Sequence, residues 1–163
     1  MTVSISYEGA AEGAGAVLGK RLLKEARALL KEVGLVRREV SLVLTDDVHI
    51  RELNRTWRGE DKATDVLSFP MDEPAVSSSA AVATRPKSGP LGDIVLSLET
   101  TAKEAVAIGW QRDDFASFLL VHGFCHLLGH DHGEPDEAAA MKADEDRFFA
   151  VVAPGVARPP TPY

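Results

Sequence analysis

One cysteine, Cys125, stands in a chain of 163 residues, so no disulfide can form within it. That scarcity suits a reducing cytoplasm. Long hydrophobic runs are missing as well, and no apolar stretch approaches the roughly 18 residues of a membrane helix. The opening MTVSISYEGAAEGAG has neither a charged n-region nor an apolar h-region, so export is not expected and a cytoplasmic location is. Positive charge is also short. Eighteen Lys and Arg face 25 Asp and Glu, for a formal net charge of -7. This argues against indiscriminate binding to nucleic acid, whose affinity comes mostly from cations set against phosphates. What is present is ordinary for a soluble globular protein, with 45% hydrophobic and 26% charged residues. The length fits one domain that buries about two-thirds of its unfolded surface. Neither disulfide nor metal is needed merely to hold it together.

Hydrophobic periodicity predicts a short strand over Thr2–Tyr7 and a helix over Ala16–Val33, ended by Gly34. A strand over Glu39–Thr45 follows, then a helix over Val48–Trp57 that Asp46 or Asp47 can cap and Gly59 ends. TDVLSF (Thr64–Phe69) and DIVLSL (Asp93–Leu98) read as two strands that can pair. Between them, Asp72–Pro90 is rich in Ser, Ala and Pro and reads as a mobile surface loop, not a domain linker. Helices are expected over Glu99–Ile108, over Asp113–Leu128, and from Pro135 to Val152. The expectation is one domain over residues 1–153 with a frayed, proline-rich tail over 154–163. The fold class is α/β: a small mixed sheet of about four strands covered by helices, with a metal site at the end of a core helix.

The unusual feature is HGFCHLLGHDH, His122–His132, which holds four of the five histidines. On a helix, residues four apart differ by about 40° in direction and about 6 Å in height, so His122 and His126 present their imidazoles side by side. A third ligand farther along the same rod could not help to surround an ion tetrahedrally. The chain must turn, and Gly129 allows it, because glycine takes the left-handed conformation without a steric penalty. His132 then returns as the third ligand, and His122, His126, Gly129 and His132 together match HxxxHxxGxxH, a Zn²⁺ pattern. Three protein ligands leave one position for water. His130 is expected to be exposed or to sit beside the site without ligating. Cys125, flanked by Phe124 and followed by Leu127, is expected to be a small buried hydrophobe.

Gly123 stands where zinc peptidases with this spacing place the glutamate that acts as general base. Peptide cleavage is therefore disfavoured. A phosphodiester asks less of such a base, because Zn²⁺ can acidify water and stabilise a phosphoryl oxygen while an arginine neutralises the rest. Basic residues at helical spacing occur twice. Lys20, Lys24, Arg27 and Lys31 lie beside Glu25 and Glu32 and read as a solvated face. Arg51, Arg55 and Arg58, with Lys62 past the helix end, are the candidates for contact with a phosphodiester. Trp57 is expected to be buried where the helix ends.

LNRTWRGEDKATDVLSFP (Leu53–Pro70), LGDIVLS (Leu91–Ser97) and the histidine run, in that order, resemble the YbeY family of endoribonucleases. The resemblance covers about residues 38–150. It implies a zincin-like sheet topology and one Zn²⁺ held by His122, His126 and His132, with Arg58 acting on RNA. It further implies a single-strand-specific endoribonuclease serving small-subunit rRNA 3′-end maturation and ribosome quality control. Its partners would be an rRNA precursor and the ribosome or small subunit with its assembly factors, with no membrane and no DNA. Two departures stand out: His130 where the family usually has tyrosine, and a long Asp72–Pro90 connection. Asp65 and Asp93 lie in family motifs and read as strand-end carboxylates that cap or orient neighbours. The alternatives are a zinc hydrolase of another class, such as a peptidase, and a noncatalytic zinc-binding adaptor of the ribosome.

Overall fold

The computed structural model describes residues 2–72 and 85–160. Four strands, β1 (Val3–Tyr7), β2 (Arg37–Thr45), β3 (Val66–Pro70) and β4 (Ser88–Ser97), form one sheet in the order β1-β2-β4-β3. β1 and β2 are parallel, as are β2 and β4, and β3 runs antiparallel to β4 with Val66 opposite Leu96 and Pro70 opposite Gly92. The sheet is thus mixed and four-stranded, as the sequence predicts, and its two edges are β1 and β3.

Among the described residues five α-helices surround it: α1 (Ala16–Glu32), α2 (Asp47–Arg58), α3 (Leu98–Ala107), α4 (Arg112–Leu127) and α5 (Pro135–Val152). Helix α4 is the centre of the molecule. Every residue from Phe115 to Cys125 is buried, which follows from its near-continuous run of apolar and small side chains: with no polar face, it can be stable only when covered all round. It packs against β3 and β4 and is flanked by α1, α3 and α5. Leu18, Leu22 and Leu29 of α1, Leu42, Ile94 and Leu96 of the sheet, and Phe148 of α5 fill the core around it. Helix α2 is more strongly amphipathic and sits on the other side, where Ile50 joins Leu67 and Val95 in a small second cluster. Asp46 caps it, accepting from the His49 backbone N–H at 3.0 Å and the Ala10 N–H at 2.8 Å. These two donors hold the Asp46 carboxyl at about 2.

Three expectations need correction. Strand β4 begins at Ser88, not Asp93, and Ser88 to Pro90 lie opposite Arg37 to Glu39. The stretch taken as one surface loop therefore has structured flanks, while its middle, 73–84, lies outside the described residues. Arg38 on β2 is only 1% exposed and grips Asp72 with two hydrogen bonds of 2.7 and 3.0 Å. Arg85, also buried, reaches the same carboxylate at 2.8 Å and donates to the Leu128 carbonyl at the end of α4. The hydrogen bond from Arg38 leads the effects that hold the Asp72 carboxyl below its ordinary range. Replacing the whole stretch by a short turn would leave a buried guanidinium unpaired, and breaking such a pair typically costs several kcal/mol. The tail is not wholly frayed either: Pro159 is buried and Arg158 folds onto α5. Finally, Trp57 is 67% exposed.

Candidate metal centre and cleft

Helix α4 presents His122, buried, and His126, half-buried, one turn apart, with their Nε2 atoms 3.3 Å from each other. The helix ends at Leu127. Gly129 takes φ 95°, a conformation in which a side chain would clash with the backbone. The turn brings exposed His132 back, so that one ligand nitrogen of each of the three rings lies within 4.8 Å of the other two.

Two of the Nδ1 atoms are engaged elsewhere. His122 Nδ1 meets the Glu145 carboxylate of α5 at 2.6 Å, and His126 Nδ1 meets the His130 carbonyl at 2.9 Å. A carboxylate or carbonyl on Nδ1 keeps the proton there and leaves the Nε2 lone pair facing inward, which is how metal-binding imidazoles are usually oriented. Burial, followed by the neighbouring His122, pushes the His126 imidazole down to about 4, so it is neutral over the physiological range. Converging ring nitrogens, two of them on rings whose Nδ1 atoms are fixed, are what a divalent transition metal requires. The three residues fit a metal ion.

Glu145 is only 2% exposed, and its second oxygen accepts from Arg158 at 2.9 Å. Its carboxyl is held below its ordinary value: burial opposes the ionised form, but the hydrogen bond to His122 and the charge of Arg158 favour it more. Sequence reasoning missed both residues. A signal existed: Glu145 follows Met141 by four and precedes Phe148 by three, which puts a carboxylate on the apolar face of α5. A charge there needs a partner.

His130 is buried, not exposed. Its imidazole pairs with Asp144 at 2.8 Å, and it serves His126 through its backbone carbonyl. Cys125 is fully buried and stands outside the metal-competent group; burial pushes its thiol well up. Gly123 faces the sheet. A Cβ there would stand 2.9 Å from Ser68 Oγ and 3.0 Å from Ile94 Cγ2, and the Ser68 hydroxyl donates to the Gly123 carbonyl at 3.2 Å. Close packing of α4 on β3 and β4 thus leaves no room for a catalytic glutamate.

A cleft of about 580 Å³ opens beside His126, with Arg58, Arg85, His130 and Asp131 among its walls. Arg58, at the last position of α2, is exposed, donates to the Ser68 carbonyl at 2.7 Å and lies 5.8 Å from the Phe69 ring centroid. Among the described residues it has no carboxylate partner, because the two nearest in sequence are taken: Asp61 pairs with Arg51 at 2.9 Å and Glu60 with Lys62 at 3.4 Å. Arg51 and Arg55 are not brought to the cleft. Both line a separate depression on α2, and Arg55 pairs with Glu52. Of the other carboxylates singled out, Asp65 accepts from the Val66 N–H at 2.7 Å, a cap at the strand start. Asp93 is raised by burial and lines a different hollow.

The family model described as Endoribonuclease YbeY matches residues 12–153. The chain belongs to the YbeY family. An Endoribonuclease YbeY of Myxococcus xanthus is 43% identical over 139 residues, which is 85% of this chain and 45% of that protein. One of Rhizobium leguminosarum bv. trifolii is 47% identical over 115 residues, 69% of this chain and 61% of its own length. The chain therefore spans about half to three-fifths of these two YbeY relatives. It spans nearly all of another, from Salinispora tropica, at 42% identity over 155 residues, 92% of this chain and 95% of that one. The fold is shared with a Thermotoga maritima protein solved in solution, with a TM-score of 0.63 at 23% identity over 95% of this chain and 99% of the other. No described helix is long and apolar enough to cross a membrane.

Proposed function

We propose that the chain is a zinc-dependent endoribonuclease that cuts single-stranded RNA, working in the cytoplasm on the 3′ end of small-subunit rRNA and in ribosome quality control. Membership of the YbeY family supports an RNA substrate. The observation that carries the reading is the convergence of three imidazoles, two of them oriented by hydrogen bonds, next to a cleft that also holds an arginine without a carboxylate partner among the described residues. Nitrogen ligands in a set of three suit Zn²⁺ with an open position.

His122, His126 and His132 would hold the ion. When bound, it supplies Lewis acidity, lowering the pKa of water toward ~7 and drawing charge from a phosphoryl oxygen. Glu145 and the His130 carbonyl keep two of the rings in the ligating tautomer. Arg58 would take the non-bridging oxygens of the phosphodiester, where a planar guanidinium makes two parallel hydrogen bonds. Gly123, crowded by the Ser68 and Ile94 side chains, counts against the peptidase alternative, since it supplies no carboxylate where peptide hydrolysis needs one. The cation-bearing cleft favours an enzyme over an adaptor.

The test compares two oligoribonucleotides of equal length, one unpaired and one annealed to its complement. The zinc-loaded protein should cleave the unpaired strand at least about tenfold faster, because only unpaired backbone can bend into a cleft of this size. Equal cleavage of both would remove the single-strand assignment, and cleavage of neither would remove the activity.

A further inference from the structure

The last turn of α2 carries two neighbours with opposite chemistry: Arg58 faces the histidine cleft, and Trp57 stands 67% exposed beside it. The second tryptophan, Trp110, behaves differently; it is half-buried and packs on Phe149 with centroids 6.2 Å apart. Among the described residues, the ring contact of Trp57 is an edge contact to Phe69, at 6.4 Å and 70°. Together with Leu53 and Met71, the latter 56% exposed, these two rings line a hollow of about 410 Å³. Pro70, on the edge strand β3, lines both this hollow and the cleft that holds Arg58 and His126, so the two adjoin at that strand edge.

We propose that this hollow is a stacking subsite for one unpaired base of an RNA strand whose adjacent phosphate lies on Arg58. This rests on the endoribonuclease reading given above. The charges sort the two ends of a nucleotide. The polar side chains that line the hollow are Asp93 and Glu8, which repel a phosphate and can accept hydrogen bonds from base N–H groups. On the cleft side, whose walls also include Asp131, Glu137 and the Arg85–Asp72 pair, Arg58 is the cation that has no carboxylate partner among the described residues. A base therefore enters the hollow, and its phosphate is directed toward Arg58 and the metal ligands. Aromatic faces recognise any base, but only one free of its complement, since pairing and stacking in a duplex keep the faces covered. The subsite would thus give the enzyme its preference for single strands without reading sequence.

The experiment mixes the zinc-loaded protein with a 12-nucleotide oligouridylate in a stopped-flow cell and reads tryptophan fluorescence before cleavage proceeds. The parent should be quenched on binding. Trp57→Phe should lose most of that quench yet keep the affinity within about twofold, because the face is preserved and Trp110 lies elsewhere. Trp57→Leu should bind about tenfold more weakly or worse and lose its discrimination against the annealed strand, with zinc content and melting temperature unchanged. If Trp57→Leu binds and cleaves the unpaired strand as the parent does, the subsite is wrong and the endoribonuclease reading stands. A parent that neither binds nor cleaves the oligonucleotide overturns both.

Discussion

His132→Ala should empty the metal centre, whereas His130→Ala should leave it close to full. The two histidines are two residues apart, but the structure gives them different duties. His132 contributes its ring to the group of three ligand nitrogens and is itself exposed, so truncation costs the fold little and removes one of three ligands. His130 supports His126 through its carbonyl, which alanine retains. The loss there is the imidazole contact with Asp144, felt as a modest drop in stability. Glu145→Gln should fall between them, weakening zinc about 10–100-fold, the usual cost of losing an outer carboxylate partner. It also leaves Arg158 without its buried counter-charge. Metal analysis after dialysis against a weak chelator ranks the three. A greater zinc loss in His130→Ala than in His132→Ala would mean that the turn at Gly129 brings the wrong ring to the ion.

Arg58→Ala should keep its zinc and nearly its full melting temperature while cleavage of single-stranded RNA falls about tenfold or more, a loss of ~1.4 kcal/mol or more of transition-state stabilisation. The stability forecast follows from what the side chain touches: one carbonyl, that of Ser68, and the Phe69 ring over which the guanidinium lies. Arg58 itself is exposed, so water can replace what its side chain donates, and losing these two contacts costs little. The activity forecast follows from the cleft shared with His126 and from the absence of a carboxylate partner among the described residues. Arg58→Lys should recover only part of the rate, since an ammonium keeps the charge but not the planar pair of donors. Arg51→Ala and Arg55→Ala should act weakly, because each of those guanidiniums already faces a carboxylate away from the cleft. Parental cleavage by Arg58→Ala, or loss of its zinc, would remove the assigned role.

Much of this could be read from the sequence because the signals are local. The strands and helices follow from periodicity. The grouping of His122, His126 and His132, which could hold a metal, follows from helical spacing plus one glycine, since four residues along a helix and a left-handed turn fix directions without knowledge of the rest of the chain. Three kinds of information were hidden. The order β1-β2-β4-β3 depends on pairings between segments far apart, such as Val40 with Gly92, which no local pattern encodes. The first residues of β4, Ser88, Gly89 and Pro90, have turn chemistry, and only their pairing with β2 makes them a strand. Buried charge was the third. Arg38, Glu145 and Arg158 are polar by composition and were passed over, yet each sits against the core with a counter-charge supplied from elsewhere. Trp57 is the reverse case: its size suggested burial, and the chain leaves it in solvent.

The measurement that bears most directly on the central claim is a zinc titration of the chelator-treated protein, with cleavage of an unpaired oligoribonucleotide as the readout. The account predicts no cleavage without metal, a linear return of activity as zinc is added, and a break at one zinc per chain, with His132→Ala showing no such break. Full cleavage by the metal-free protein would contradict it. So would zinc that binds at one per chain to the three histidines without restoring any cleavage.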